Sequence, residues 1–251
     1  MLLTIDIGNT NISSGIFVGK KLKHRFDIST KTYKKSELVK NLKAYSGISA
    51  SIICSVVPKL TRVIQHDLKL LTGSRPYIIG KDLIVPLENR YRIPKQVGQD
   101  RLVNAYAASN LYTTPLVVID SGTAITFDVI SKDQAYLGGL IFPGMKISLE
   151  ALKEKTALLP GVKLRPPKML IGRDTENSIL SGVVFGTAAL SKELAERIKQ
   201  HLGKNTQIIG TGGNISLIKK YSGMNIKINK ELTLIGIRLV YENKVAELRV
   251  I

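Results

Sequence analysis

The sequence contains few of the residues on which several kinds of functional site depend. It has one cysteine, Cys54, no tryptophan and only three histidines among 251 residues. A single cysteine excludes an internal disulfide, and its apolar neighbours predict a buried thiol in a reducing compartment. The histidines are scattered, and no Cys/His spacing is typical of a metal site. A serine hydrolase is not indicated either, because the G-x-S-x-G motif is absent.

Long hydrophobic runs are also missing. Asp6 interrupts the apolar N-terminal stretch, which makes that stretch too short for the hydrophobic region of a signal peptide. No other run approaches the ~20 residues that a membrane-spanning helix needs. We therefore expect a soluble cytoplasmic protein, and the 44% of hydrophobic residues are enough to build a sizeable core.

Acidic residues are scarce, with 19 Asp and Glu against 37 Lys and Arg, which gives a formal net charge of +18. One interpretation is an anionic partner, and the other is a well-solvated surface. The basic residues are spread along the chain, and aromatic residues reach only 6%, so stacking platforms for single-stranded nucleic acid are few. Both observations favour the solvated surface, and nucleic acid is not the expected partner.

One sequence pattern occurs twice. LLTIDIGNTN at the start and LVVIDSGTAIT at 116–126 each place an apolar run before an aspartate, a glycine turn and a second apolar run. The periodicity predicts strands at 2–7, 11–18 and 22–28, and again at 116–120, 123–130 and 135–141. Helical patterns follow each set of strands. We predict two related α/β domains, 1–114 and 115–251, facing one cleft that would hold a nucleotide.

The turn in the first copy is a candidate phosphate-binding loop. Gly8 permits a tight turn, and the main chain and side chains of Asn9, Thr10 and Asn11 can point at phosphate oxygens. Taken alone, the segment is more typical of a hairpin turn.

The second copy favours the phosphate-binding interpretation over the hairpin turn, because Gly122 and Thr123 would supply a matching phosphate-binding loop. A duplication of this kind is hard to explain by turns only. Asp6 and Asp120 each end a strand beside such a loop, which suits them to hold a divalent cation partly through water.

The segment GQDR places Asp100 and Arg101 at the start of a predicted helix, just after Gly98. Asp100 is either a helix N-cap or a residue that positions a substrate hydroxyl for phosphoryl transfer. The helix N-terminus is expected to lower the pKa of Asp100. Positioning would matter more than basic strength, because the transition state of phosphoryl transfer is loose.

Three other segments allow two interpretations each. GGLIFPG at 138–144 is either a strand-to-helix corner or a close approach of the backbone to a substrate. TGGN at 211–214 is a glycine-rich turn at a helix N-terminus, where a nucleotide could rest. The long helix predicted at about 175–202 is either a dimer interface or a central core helix, because its small residues allow close approach on more than one side. These small residues are Gly182, Gly186, Ala188 and Ala189.

The ordered set DIGNTN, GQDR, DSGTAIT and GGLIFPG closely resembles the type III pantothenate kinases of the acetate kinase and actin superfamily. The resemblance continues through IGRDTENSILSG, TGGN and the terminal LTLIGIRL, and so covers essentially the whole chain. It implies two duplicated RNase H-like (actin-like) α/β domains with mixed sheets. It also implies ATP-dependent phosphorylation of pantothenate to 4′-phosphopantothenate, the first step of coenzyme A synthesis.

The resemblance further implies roles for individual residues. Asp100 would be the general base, and Tyr91, Gly98 and Arg101 would bind pantothenate. Asp120 matches the position associated with a monovalent cation, K⁺ or NH₄⁺.

The ATP phosphates and Mg²⁺ would be faced by the first loop, with the second loop opposite. Thr175 would reach pantothenate from the neighbouring subunit of a homodimer. The loop residues concerned are Asp6, Gly8, Asn9, Thr10, Asn11, Gly122 and Thr123.

Two rival functions belong to other classes. Some relatives of this family are described as accessory transcription factors, and a chain of charge +18 could bind DNA electrostatically. A nuclease with an RNase H-like fold would use Asp6 and Asp120 as metal ligands. The first rival lacks a helix-turn-helix signal, and the second needs neither a second phosphate loop nor the GQDR segment.

Overall fold

The computed structural model describes residues 1–249, and the chain forms two compact units. The first unit comprises Met1–Glu88, Arg92–Ala107 and the described residues from Glu231 on. The second comprises Asn89–Tyr91 and Ala108–Lys230.

The first unit is built on a five-stranded mixed sheet. Its strands are β1 (Leu2–Ile7), β2 (Asn11–Val18), β3 (Lys21–Ser29), β4 (Ala50–Ser55) and β5 (Tyr77–Ile78). They lie in the order β3-β2-β1-β4-β5. The first three form an antiparallel meander, whereas β4 runs parallel to both β1 and β5. The parallel strands are mainly apolar, as expected for strands covered on both faces.

The second unit repeats this sheet. Its strands are β6 (Leu116–Ser121), β7 (Ala124–Ile130), β8 (Tyr136–Pro143), β9 (Gln207–Thr211) and β10 (Lys227–Ile228). Their order is β10-β9-β6-β7-β8, again with an antiparallel meander on one side and parallel strands on the other. The duplication in the sequence is therefore a duplication of the fold, and the predicted α/β class with mixed sheets is confirmed.

Seven helices connect or follow the described strands. They are α1 (Lys35–Leu42), α2 (Pro58–Thr72), α3 (Gln99–Leu111), α4 (Met145–Lys155), α5 (Thr175–Leu202), α6 (Ile215–Ser222) and α7 (Leu232–Arg249). A short 3₁₀ turn at Pro94–Gln96 precedes α3. Within 1–249, no helix combines the length and the apolar character needed to cross a membrane.

The last helix belongs to the first unit by its packing. α7 lies against β1, β2 and β4. It also lies close to α3, because a Cβ at Gly236 would be 2.5 Å from the main-chain oxygen of Val103. The sequence places one boundary near residue 114, since the strand pattern restarts there, but strand repeats carry no information about where a terminal helix packs.

The small residues of the long helix α5 differ in their burial. Ala188 is fully buried in the second unit, whereas Gly182, Gly186 and Ala189 are exposed. A Cβ at either glycine would meet nothing within 4 Å. One face of α5 is thus part of the core of its unit, and another is open in the single chain.

Candidate functional site

The first loop is a tight turn between β1 and β2. The amide of Gly8 donates a hydrogen bond of 3.0 Å to the carbonyl of Asn11, and the hydroxyl of Thr30 donates one of 2.7 Å to the carbonyl of Gly8. Asn9, Thr10 and Asn11 are exposed. The turn is therefore held from β3 while its polar residues face solvent, where phosphate oxygens could reach them.

Asp6 stands at the end of β1 beside this loop and is partly buried. In the sheet it lies opposite Cys54 of β4. Burial, followed by the negative charges of Asp6 and Asp100, raises the pKa of the Cys54 thiol well above its ordinary value. The fully buried, neutral thiol therefore lies near both carboxylates, which belong to the same unit.

Asp100 is the second residue of α3 and turns back onto the start of its own helix. Its Oδ1 atom accepts a hydrogen bond of 2.9 Å from the amide of Arg101. Burial raises the pKa of Asp100 above the ordinary 3.8, and the amide and guanidinium of Arg101 lower it by less. The amides of the helix N-terminus lower this pKa as predicted, but desolvation is the larger effect, so the net shift is upward.

Gly98 and Arg101 flank this carboxylate. A Cβ at Gly98 would lie 2.5 Å from Oδ1 of Asp100, so a side chain there would displace the carboxylate. Arg101 is buried, with only 9% of its surface exposed. A buried guanidinium of this kind is suited to bind a carboxylate of a small molecule.

The second loop, Gly122 and Thr123, joins β6 to β7 and is packed by glycines from two other segments. The amide of Gly144 donates a 3.1 Å hydrogen bond to the carbonyl of Thr123, and a Cβ at Gly144 would lie 2.5 Å from the carbonyl oxygen of Gly122. Gly212, with φ +86°, lies directly against the carboxylate of Asp120. The segments DSGT, TGGN and the end of GGLIFPG thus form one cluster in the second unit.

This cluster gives a structural role to TGGN and GGLIFPG, the two segments for which the sequence allowed more than one interpretation. The amide of Asn214 donates a 3.0 Å hydrogen bond to the carbonyl of Ser121, which joins the TGGN turn to the end of β6. The glycines serve as points of close backbone contact. The sequence signal was the glycine pattern itself, but only the parallel pairing of β9 with β6 shows which segments meet.

Tyr91 belongs to the second unit, where it lies over β8. Its ring would be 3.4 Å from a Cβ at Gly138, and its centroid is 6.4 Å from that of Tyr136. The hydroxyl of Tyr136 donates a 2.9 Å hydrogen bond to the fully buried Asp128. Asp128 therefore supports the aromatic surface on which Tyr91 rests, a role that its position late on a strand did not reveal.

Thr175 is the first residue of α5 and is exposed. Asp174 caps this helix by accepting a 2.8 Å hydrogen bond from the amide of Asn177. Gly172 packs so closely on the first turn that a Cβ would lie 2.5 Å from the carbonyl carbon of Asn177. The backbone around Thr175 is therefore fixed, while its side chain points away from the core of its own unit.

Comparison with known proteins identifies the family. The family model described as type III pantothenate kinase matches residues 2–197. This chain belongs to the type III pantothenate kinase family. It is 41% identical over 252 residues to the type III pantothenate kinase of Finegoldia magna, and 96% of each chain is covered. It is 38% identical over 251 residues to that of Geobacter sulfurreducens, covering 96% of this chain and 98% of the relative.

Solved structures of lower similarity share the fold of this type III pantothenate kinase family member. A Baf family transcriptional activator from Campylobacter jejuni has a TM-score of 0.63 at 19% identity, covering 97% of this chain and 99% of that one. The activator of 2-hydroxyisocaproyl-CoA dehydratase from Clostridium difficile, with bound ADPNP, has a TM-score of 0.58 at 11% identity, covering 99% and 97%. At these identities the likeness concerns the fold alone, so it does not favour the transcription-factor alternative.

Proposed function

We propose that this protein transfers the γ-phosphoryl group of ATP to the hydroxyl of pantothenate, giving 4′-phosphopantothenate and ADP. The observation that carries this proposal is the match over nearly the full chain to curated type III pantothenate kinases. The motifs of this chain support it, because the turn beside Asp6 and the carboxylate of Asp100 lie in one compact unit. A DNA-binding protein does not require that pair, and a nuclease does not require the second phosphate loop.

Asp100 is the proposed general base. The pantothenate hydroxyl oxygen forms a bond to the γ-phosphorus, the bond from that phosphorus to the β,γ-bridging oxygen breaks, and ADP leaves with the electron pair. The hydroxyl proton passes to the carboxylate of Asp100. Its raised pKa brings it nearer to that of an effective acceptor at neutral pH, and Arg101 and Gly98 hold it in place.

The two loops are the proposed phosphate sites. In the first unit, Asn9 and Thr10 offer amides and side chains on an exposed turn. In the second unit, Gly122 and Thr123 do so on a turn held by Gly144. Backbone amides in such turns bind anions without a cationic side chain.

Asp6 fits the proposed Mg²⁺ site. The described residues contain no group of three or more His, Cys, Asp or Glu that could enclose a metal ion. A single partly buried carboxylate beside a polar turn instead suits Mg²⁺, which retains water and is held mainly by substrate phosphates. When bound, Mg²⁺ would neutralise charge on the phosphate oxygens.

Asp120 fits the proposed K⁺ or NH₄⁺ site. Its carboxylate lies beside the close-packed turn at Gly212, and the main-chain carbonyls of the same cluster are further oxygen ligands of the kind that such cations use. Any side chain at position 212 would collide with this carboxylate.

Pantothenate carries a carboxylate and hydroxyl groups, which match the proposed binding residues. The buried guanidinium of Arg101 would bind the carboxylate, and Tyr91 would cover the apolar part of the substrate. Thr175 would act from the neighbouring subunit of a homodimer. Its exposure at a rigid helix start, and the open small-residue face of α5, support that assembly. A reducing cytoplasm is the proposed location, consistent with the single buried cysteine.

The test is ADP release by the purified protein with ATP, Mg²⁺ and K⁺, in the presence and absence of pantothenate. The wild type should form ADP only with pantothenate, and Asp100→Asn should reduce the rate by about 10²–10⁴-fold. Asp27→Asn, on the exposed side of β3, is the matched control and should keep the wild-type rate. A wild type that is inactive with both K⁺ and NH₄⁺ would overturn the proposal. Salt-sensitive DNA binding by that protein would then support the transcription-factor function.

A further inference from the structure

Gly80 lies in a rigid turn that follows β5. Its φ is +83°, in the left-handed region that favours glycine. Its amide donates a 2.7 Å hydrogen bond to the carbonyl of Leu83. The side chain of Asp82 accepts a 2.9 Å hydrogen bond from the amide of Ile78. These bonds cross-link the two sides of the turn.

The same turn is attached to the strand pair that carries Asp6. The amide of Ile79 donates a 2.9 Å hydrogen bond to the carbonyl of Ile53 in β4. Ile79 and Leu83 are buried, which anchors the turn in the core. Because β4 lies beside β1, with Cys54 opposite Asp6, the turn at Gly80 is in fixed register with Asp6.

Gln99 packs on this turn. A Cβ at Gly80 would lie 2.9 Å from Cγ, 2.8 Å from Cδ and 3.1 Å from Oε1 of Gln99. Real Cβ atoms do not approach so closely, so the Gln99 side chain occupies the space that the missing side chain of Gly80 leaves. Gln99 is the first residue of α3, and Asp100 is the second.

We infer that Gly80 is a positioning residue, which seats the side chain of Gln99 and thereby fixes the carboxylate of Asp100 relative to Asp6. The inference rests on the proposed function, in which these two carboxylates serve as base and cation ligand. It gives a role to Gln99, the residue of the GQDR segment whose side chain the reaction itself does not use. It also means that the turn at Gly80, which is distant in sequence from Asp6, helps to set the geometry of the proposed active site.

A side chain at position 80 would move Gln99 to another rotamer and leave the first turn of α3 without this contact. The fold does not depend on the contact, because α3 remains held by its own hydrogen bonds and by α7. Catalysis depends on it, since a displacement of about 1 Å in a positioned group can lower a rate by about 100-fold. The effect is expected in kcat and not in the binding of ATP.

The test compares Gly80→Ala with Gly73→Ala. Gly73 also has a left-handed backbone, with φ +74°, but a Cβ there meets nothing within 4 Å. Both variants carry similar backbone strain, so they should lose similar stability. Only Gly80→Ala should lose kcat, by about tenfold or more, with the KM for ATP changed by less than about twofold. Equal kcat values for the two variants would overturn the inference.

A double variant tests whether the effect passes through Gln99. In the Gln99→Ala background the added Cβ no longer collides, so Gly80→Ala should lower kcat no further. A Gly80→Ala effect of the same size in both backgrounds would show that Gln99 does not transmit it, and would overturn the inference.

Hydrogen exchange separates failure of this inference from failure of the proposed function. The amides of Arg101 and Leu102 donate to the carbonyl of Gly98 at 3.1 and 3.3 Å, so they report on the first turn of α3. Their exchange should be faster in Gly80→Ala than in Gly73→Ala, whatever reaction the protein catalyses. An inactive wild type refutes the proposed function alone, whereas unchanged exchange refutes the positioning of α3 by Gly80.

Discussion

The α-carbon of Gly212 lies directly against the carboxylate of Asp120, so a Cβ at this glycine would collide with Oδ1. The same Cβ would lie 2.7 Å from the amide nitrogen of Ser121. The TGGN turn therefore closes one side of the cluster around Asp120, and its glycine sets how far that carboxylate can move.

Gly212→Ala should weaken the response to monovalent cations. The substitution displaces Asp120, so the K⁺ concentration for half-maximal rate should rise and kcat should fall by about tenfold. It also places alanine at a left-handed φ, which costs about 1–2 kcal/mol of stability. Gly223→Ala shares that strain, with φ +67° and open space around its Cβ, and is the control. ADP release over a K⁺ titration measures both; identical titration curves would contradict the prediction.

The rate should depend on the ionisation of Asp100. Only the ionised carboxylate accepts the hydroxyl proton, so kcat/KM should fall as pH decreases through the pKa of this group. Because burial raises that pKa, the acidic limb should lie at a higher pH than an exposed aspartate would give. A pH–rate profile of the wild type measures it. A profile that stays flat down to the ordinary pKa of 3.8 would argue against this assignment.

Asp100→Asn should be more stable than the wild type at neutral pH, although we expect its rate to be strongly reduced. The raised pKa means that the folded state binds this proton more tightly than the unfolded state does. The contribution of Asp100 to stability is therefore full below its unfolded pKa and is lost as pH rises through the folded pKa. Thermal unfolding at pH 7 should therefore show a higher Tm for Asp100→Asn than for the wild type. The gain should vanish at pH values below the unfolded pKa.

Cys54 should be chemically inert in the folded protein. Burial and the neighbouring charges of Asp6 and Asp100 raise the pKa of its thiol, so the reactive thiolate is scarce and inaccessible. Labelling with a disulfide reagent at pH 8 should be on the order of 100-fold slower than in denaturant, with activity retained. Rapid stoichiometric labelling of the native protein would contradict the burial of this strand.

Mixed dimers test the proposed contribution of Thr175 from a second subunit. Asp100→Asn and Thr175→Arg should each be inactive as homodimers. If each site takes Asp100 from one subunit and Thr175 from the other, a mixed dimer retains one intact site. Subunit exchange between equal amounts of the two variants should then restore about one quarter of wild-type activity. Two inactive homodimers that exchange subunits without regaining activity would place both residues in sites built by a single chain.

The longer elements could be predicted from the sequence because their periodicity is strong. The strand prediction at 2–7 coincides with β1, and the helix predicted at about 175–202 coincides with α5. β5 and β10 were not predicted, since each has two residues and owes its strand geometry to pairing with a neighbour. Local sequence carries no signal for such tertiary pairing.

The sequence provided candidates for the site residues, which stay predictions, but it did not provide their environments. The glycine and aspartate pattern located both loops and GQDR. The net pKa shift of Asp100 could not be predicted, because its burial depends on residues distant in sequence. The role of Gly80 could not be predicted either, because nothing in RPYIIGKD indicates that the side chain of Gln99 packs against that glycine.

The packing of α7 has a consequence for the order of folding during synthesis. The helix follows Lys230 in the chain, yet it covers β1, β2 and β4, which are made first. The ribosome therefore completes nearly all of the second unit before the first can bury its sheet. Until α7 has been synthesised, the sheet of the first unit has an uncovered apolar face. The early strands are therefore the part of the nascent chain most exposed to misassociation.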